Sequence, residues 1–219
     1  MTQRSLLERI NSIEVLNRHL DALVELDPRL GPVREIAGEV PLRLGQSGFA
    51  GMASIIVSQL LSVASANAIH GRVTEVLGDV TAVRFLEIEE EELRKCGLSG
   101  GKYRTMRTVA EAELSGALDY ARLPEMAIAQ AMAELTQLKG IGPWTAEIYL
   151  LSSVGHADVF PAGDLALQKM VGHALGTKNK PDEKQTRKIA AKWSPYRGAA
   201  ARLMWRYFAA LKSREGTNI

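Results

Sequence analysis

Cysteine is almost missing from this 219-residue sequence, with Cys96 standing alone. One thiol cannot close an internal disulfide, hold an iron–sulfur cluster by itself or complete a cysteine-rich zinc site. No iron–sulfur cluster is therefore expected, and a reducing cytoplasm is the expected setting. Long apolar runs are missing as well. The first ten residues carry no uninterrupted apolar core of signal-peptide length, and no later run approaches the roughly 20 residues of a membrane span, so neither export nor membrane insertion is expected. The four histidines, His19, His70, His156 and His173, show no metal-ligand spacing, and no catalytic metal is expected. Alternating patterns near residues 40–44 and 80–85 are too weak to build a sheet. What is present is hydrophobic content of 46%, enough to bury one or two ordinary cores and to exclude disordered and fibrous classes.

Charge is scarce in sum and uneven in placement. The net charge is +2, yet the residues from Lys169 onward hold twelve Lys and Arg against three acids, a local charge of +9 that leaves −7 for the first 168 residues. Glu87, Glu89, Glu90, Glu91 and Glu92 supply much of that deficit. One face of the molecule is thereby suited to a polyanion, unless the basic residues are simply solvated helix faces that balance one another.

Helical periodicity dominates the pattern. From Ser5 to about Glu25, the residues Leu6, Ile10, Ile13, Leu16, Leu20, Leu23 and Val24 keep the three–four spacing of an amphipathic helix, ended by Pro28, Gly31 and Pro32. Residues 39–48 read as a loop. From Phe49 to Leu77 the small apolar pattern, with Ile55, Ile56, Val57, Leu60, Leu61, Val63, Ala64 and Ala68, predicts a central, largely buried helix or a kinked pair. Further helices are predicted over about 89–96, 100–114, 124–136, 143–153, 164–175, 182–193 and 197–212.

Two segments carry chemistry. In Leu138-Lys-Gly-Ile-Gly-Pro-Trp-Thr-Ala146, Gly140 and Gly142 bracket Ile141, so the chain can turn with positive φ and expose backbone N–H groups. Pro143 fits the first turn of a following helix, whose unpaired amides and dipole favour an anion. Ile141 would pin the turn in the core. The ligand that fits is a DNA phosphate, held without regard to base sequence at Gly140, Ile141 and Gly142; the plain alternative is an ordinary helix connection. Eighteen residues after Ala146, the stiff run Phe160-Pro-Ala-Gly163 leads into Asp164 at the start of a helix. Aspartate is a good N-cap, worth about 0.5–2 kcal/mol, and capping alone explains an Asp there. The capping role is compatible with a catalytic one, because a carboxylate at a helix N-terminus stays ionised and can face a developing cation.

With these segments in hand, residues from about Phe49 to Phe208 resemble the helix-hairpin-helix DNA glycosylase superfamily, and within it the alkylpurine enzymes of the DNA-3-methyladenine glycosylase II type. The resemblance rests on Ile55-Ile-Val-Ser-Gln-Leu-Leu-Ser-Val63, Cys96-Gly-Leu-Ser-Gly-Gly-Lys-Tyr103, the hairpin from Leu138 through Leu151, the run from Asp158 through Leu167, and Trp193-Ser-Pro-Tyr-Arg-Gly198 with Leu203-Met-Trp205. It implies an all-α, two-lobed helical bundle with a helix-hairpin-helix motif, the DNA cleft and Asp164 lying between the lobes. Residues 40–150 would form the middle lobe, and residues 1–39 with 151–219 the terminal lobe, in one glycosylase unit spanning 1–219. A larger relative's N-terminal α/β domain would be lacking.

The same resemblance implies a monomeric base-excision enzyme acting on double-stranded DNA that contains damaged bases. It would flip an alkylated purine of the 3-methyladenine or 7-methylguanine type and hydrolyse its N-glycosidic bond. Asp164 would be the catalytic carboxylate, Trp205 and Trp144 would form the base pocket, and Leu60 would be the wedge that fills the gap in the stack. The alternatives are a plain core leucine at 60 and core tryptophans at 144 and 205. Bifunctional relatives place a nucleophilic lysine where this chain has Trp144; an indole cannot form a Schiff base, which implies a monofunctional glycosylase without lyase activity. Lys139 stands at a different offset. Backbone carbonyls of Thr136, Leu138 and Ile141 match those that hold a structural Na+ or K+ in the family, and Ile148 stands where some relatives carry an aromatic residue. Two readings compete with this one: a non-catalytic DNA-binding module, and a glycosylase for deaminated or oxidised bases.

Overall fold

Ser12 starts the first helix by accepting the N–H of Val15 at 3.2 Å. The computed structural model describes residues 8–215, with side chains to Ser213. Among the described residues the fold is all-α, with twelve α-helices, three short 3₁₀ turns and no strand. In order these are α1 (Ile13–Leu26), α2 (Gly31–Ala37), α3 (Gly48–Ser58), α4 (Val63–Leu77), α5 (Ala82–Glu87) and α6 (Glu90–Lys95). They are followed by α7 (Gly100–Leu114), α8 (Ile128–Thr136), α9 (Pro143–Ser152), α10 (Leu165–Ala174), α11 (Glu183–Ala190) and α12 (Arg197–Glu215). No helix among the described residues is long and apolar enough to cross a membrane.

The chain divides into two compact units, residues 45–154 and residues 1–44 with 155–219. In the unit of residues 45–154 the rings of Phe49, Phe85 and Tyr103 lie in a row with centroids 5.5 and 5.4 Å apart, above buried Met52, Ile56 and Met106. In the other unit, α12 is the central helix, packed against α1, α2 and α10, with Ala199, Ala200 and Ala201 all fully buried. Trp193 is buried beneath Phe160, and its indole N–H donates to Asp27 Oδ2 at 2.9 Å. Arg29 grips the same carboxylate and, with that indole, holds it below the usual carboxylate range despite burial.

Several expectations from periodicity are corrected. The first helix begins at Ile13 rather than Ser5: Ile10 is buried, but by pairing its N–H with the Gly155 carbonyl at 2.8 Å outside any helix, while Ser5 and Leu6 lie outside the described residues. Gly31 and Pro32 open α2 instead of closing α1, since proline suits a helix's first turn. Residues 80–85, whose alternation is too weak for a sheet, indeed form no strand and lead into α5, capped by Thr81. The apolar stretch from Phe49 to Leu77 forms two helices, α3 and α4, broken at residues 59–62 as a kinked pair allows, but it is less buried than expected: Leu60, Leu61, Val63, Ala64 and Ala68 are exposed, while Ala66, Val73 and Leu77 of α4 are core.

Candidate active site and nucleic-acid interface

α8 ends at Thr136, and the chain reverses through bonds from Leu138 N–H to the Leu135 carbonyl (3.2 Å) and from Ile141 N–H to the Leu138 carbonyl (3.0 Å) before Pro143 opens α9. Ile141 is buried, as a pin for the corner should be. Gly140 has φ +93°, and a Cβ placed on it would lie 2.0 Å from Thr105 Oγ1 on α7, so both its backbone and its neighbour demand glycine. Gly142 departs from expectation. Its φ of −86° is ordinary extended backbone, because it serves as the N-cap of α9. The positive end of the α9 dipole meets this corner, which suits a phosphate.

A second turn lies in the same unit. Gln59 closes α3, and Leu60 follows with φ +57°, the one non-glycine residue of positive φ among those described. Leu60 is also 104% exposed. A left-handed residue other than glycine costs about 1–2 kcal/mol, and here no burial offsets the cost. The reading of Leu60 as a plain core leucine is thereby overturned. The turn is tethered twice: Gln59 Nε2 donates to Thr145 Oγ1 on α9 at 2.8 Å, and Lys102 Nζ on α7 donates to the Val57 carbonyl at 2.7 Å. Burial lowers the Lys102 ammonium from its usual range.

Asp164 stands at the N-cap of α10, where Oδ1 accepts the Leu167 N–H at 2.9 Å. The loop before it is fixed by its own bonds, Ala162 N–H to Phe160 carbonyl at 2.8 Å and Asp164 N–H to Pro161 carbonyl at 2.9 Å, and by burial of Pro161 and Ala162. From α12, the Trp205 indole N–H points at the same Oδ1 at 3.5 Å, the outer limit of a hydrogen bond. Sequence reasoning paired these two residues by resemblance alone, and within their unit they do meet. Trp144, on α9, and Trp205 are both half-buried, so neither is a core tryptophan; that role belongs to Trp193. Ile148, four residues beyond Trp144 on the same helix face, is half-buried too.

The basic C-terminal segment is less free than its charge suggests. Arg202 is 6% exposed, donates to the Gly198 carbonyl at 3.1 Å and is pushed down to about 10 by burial. Arg197 forks onto Asp158 at 2.6 and 3.0 Å, where Ser194 adds a third bond; burial raises that carboxyl, but these bonds outweigh it and hold it low. Arg206 donates to the Glu39 carbonyl. Periodicity could not separate these from Lys169, Lys178, Lys184 or Lys188, which are exposed.

The glycine hairpin opening a helix in one unit, and the N-cap aspartate with an indole beside it in the other, are the segments that carry the resemblance. Residues 53–195 match the family described as HhH-GPD superfamily base excision DNA repair protein. The chain belongs to that family. It is 30% identical over 162 residues to the alkylbase DNA glycosidase-like protein mag2 of Schizosaccharomyces pombe, covering 72% of this chain and 76% of that protein. Its fold is similar to that of 3-methyladenine DNA glycosylase Mag1 from the same yeast in complex with abasic DNA, with a TM-score of 0.80, 27% identity, and coverage of 86% and 95%. The DNA-3-methyladenine glycosidase of Bacillus halodurans gives a TM-score of 0.77 at 32% identity, with coverage of 95% and 94%.

Proposed function

We propose that this protein is a monofunctional DNA glycosylase that flips alkylated purines of the 3-methyladenine or 7-methylguanine type from duplex DNA and hydrolyses their N-glycosidic bond. The observation that carries the reading is Asp164, held at the α10 N-cap with the Trp205 indole against it. An alkylated purine is cationic and leaves without protonation by the protein. As its bond to the sugar breaks, positive charge builds on the deoxyribose, and a fixed carboxylate stabilises it and orients the attacking water. The Trp205 face, beside Asp164 in the same unit, favours an electron-poor base by about 0.5–2 kcal/mol. Leu60, strained and exposed, fills the space the flipped base vacates. Its side chain is fully exposed and so adds nothing to the core.

At the hairpin, the amides around Gly140, Ile141 and Gly142 take a phosphate of the flanking backbone. The carbonyls of Thr136, Leu138 and Ile141 suit a hard monovalent cation: α8 ends there with its negative pole, and the Leu138 oxygen, already accepting the Ile141 amide, keeps a second lone pair. Bound there, Na+ or K+ would neutralise part of the phosphate charge. Trp144 in the hairpin offers no amine, so no covalent enzyme–sugar intermediate forms. The protein acts as a monomer, and as a cytoplasmic enzyme it meets chromosomal DNA directly.

The test is excision from duplexes carrying single 3-methyladenine, 7-methylguanine, hypoxanthine or 8-oxoguanine lesions, with wild type and Asp164→Asn. Asn is as good an N-cap, so the variant keeps its fold; excision of the alkylated bases should fall by about 100-fold or more. Full activity in Asp164→Asn would refute the mechanism. Binding without excision by wild type would favour a non-catalytic module, release of only the last two bases would favour the deaminated or oxidised class, and a borohydride-trapped DNA adduct would refute monofunctionality.

A further inference from the structure

Lys102 spends its charge inward. It lies in the first turn of α7, in a segment with exposed basic neighbours Arg104 and Arg107, yet its ammonium is turned onto the Val57 carbonyl at 2.7 Å rather than left in solvent. That carbonyl belongs to the last turn of α3, where backbone acceptors lack helical partners and the dipole is negative, so a cation there is well placed. The neighbouring backbone bonds, Gln59 N–H to Ile56 and Leu61 N–H to Ser58, pass over Val57 and leave its oxygen to the lysine. Three residues on, Thr105 shares the α7 face with Lys102 and sits against Gly140 of the hairpin. From the other side, Thr145 of α9 takes the Gln59 amide. The strained turn bearing Leu60 is thus held to the hairpin by two struts, α7 through Lys102 and Thr105, and α9 through Thr145.

We propose that Lys102 is a positioning residue for base flipping, fixing the Leu60 turn in register with the phosphate-gripping hairpin. The proposal rests on the reading of Leu60 as the wedge. With the phosphate seated at Gly140 and Gly142, a rigid frame sets how far Leu60 enters the stack, and a misplacement of about 1 Å can cost up to 100-fold in rate. Releasing Lys102 frees the end of α3, and the left-handed Leu60 relaxes toward commoner backbone angles.

A double-mutant cycle tests this, using Lys102→Met, Leu60→Ala and the pair, read as single-turnover excision at saturating enzyme. Fluorescence of 2-aminopurine beside the lesion reports unstacking in parallel. Lys102→Met should lose about tenfold in rate and in flipping amplitude with little change in DNA affinity, and should add nothing in the Leu60→Ala background. Lys102→Arg, which retains a cation for the carbonyl, should recover much of the loss. Thr145→Val, isosteric but unable to accept the Gln59 bond, should repeat the pattern without disturbing Lys102. Independent, additive losses would overturn the proposal alone. A fall in affinity with the salt slope reduced by about one would also overturn it, since Lys102 would then be a phosphate ligand. Full excision by Leu60→Ala would overturn the wedge reading, and this proposal with it.

Discussion

Replacing Leu60 with glycine should make the protein more stable and less active at once. The side chain is 104% exposed, so removing it forfeits no buried apolar area, while its φ of +57° imposes a left-handed cost of about 1–2 kcal/mol that glycine escapes. Glycine gives back about 0.5–1 kcal/mol through the greater entropy of the unfolded chain. The net is a stabilisation of up to about 1.5 kcal/mol, or at most about 3–6 °C in a chain of this size. Leu60→Ala keeps the strained backbone and should shift Tm little. In excision the order reverses, because both variants lose the leucine that enters the stack. Burying such a side chain is worth about 1.5–3 kcal/mol, which corresponds to a loss of roughly 10- to 150-fold. Differential scanning calorimetry and single-turnover excision on the same preparations settle the matter. A drop of several degrees in both variants would mean that Leu60 is structural after all. Unchanged excision would mean that it is no wedge.

Gly140→Ala must fit a Cβ 2.0 Å from Thr105 Oγ1 at φ +93°, and should lose about 2 kcal/mol or more together with DNA affinity. Adding Thr105→Ala should return the part due to the clash and leave the part due to φ, as urea titrations of the three proteins would reveal. His19 is buried against the Tyr196 ring, and burial, with help from Arg18 and Arg202, holds its imidazole below the usual histidine range, about 6.5, against the opposing pull of Glu8. The unfolded state therefore takes up the proton first, so this residue's contribution is complete above about pH 6.5 and is lost as pH falls from there through the folded pKa. His19→Gln should flatten that segment of the stability–pH curve; an unchanged slope would show that another group sets it. Asp158→Asn should weaken the fold without touching the chemistry, since Asp158 anchors Arg197 and Ser194; a variant of normal Tm would contradict this.

Local patterns determined most of the helices. The three–four spacing and the glycine hairpin act over a few residues, and α7 begins and ends where the pattern predicts, whereas the spacing runs straight through the Ser12 cap that starts α1. Resemblance supplied the site residues because their order along the chain is itself a signature. Spacing failed where a residue's partner is far away in sequence. Ile10 continued an amphipathic pattern yet pairs with Gly155, and Arg202 counted as surface charge yet is buried against Gly198.

An all-helical chain, a hairpin suited to phosphate and a carboxylate at a helix start all follow from neighbouring residues. Only the tertiary structure decided which tryptophan is core, that Trp205 meets Asp164, and that Leu60 stands exposed in a left-handed turn braced by Lys102 and Thr145. Those facts depend on contacts between residues dozens of positions apart, and an apolar residue in a strained, solvent-facing turn looks no different in one dimension from one in a core.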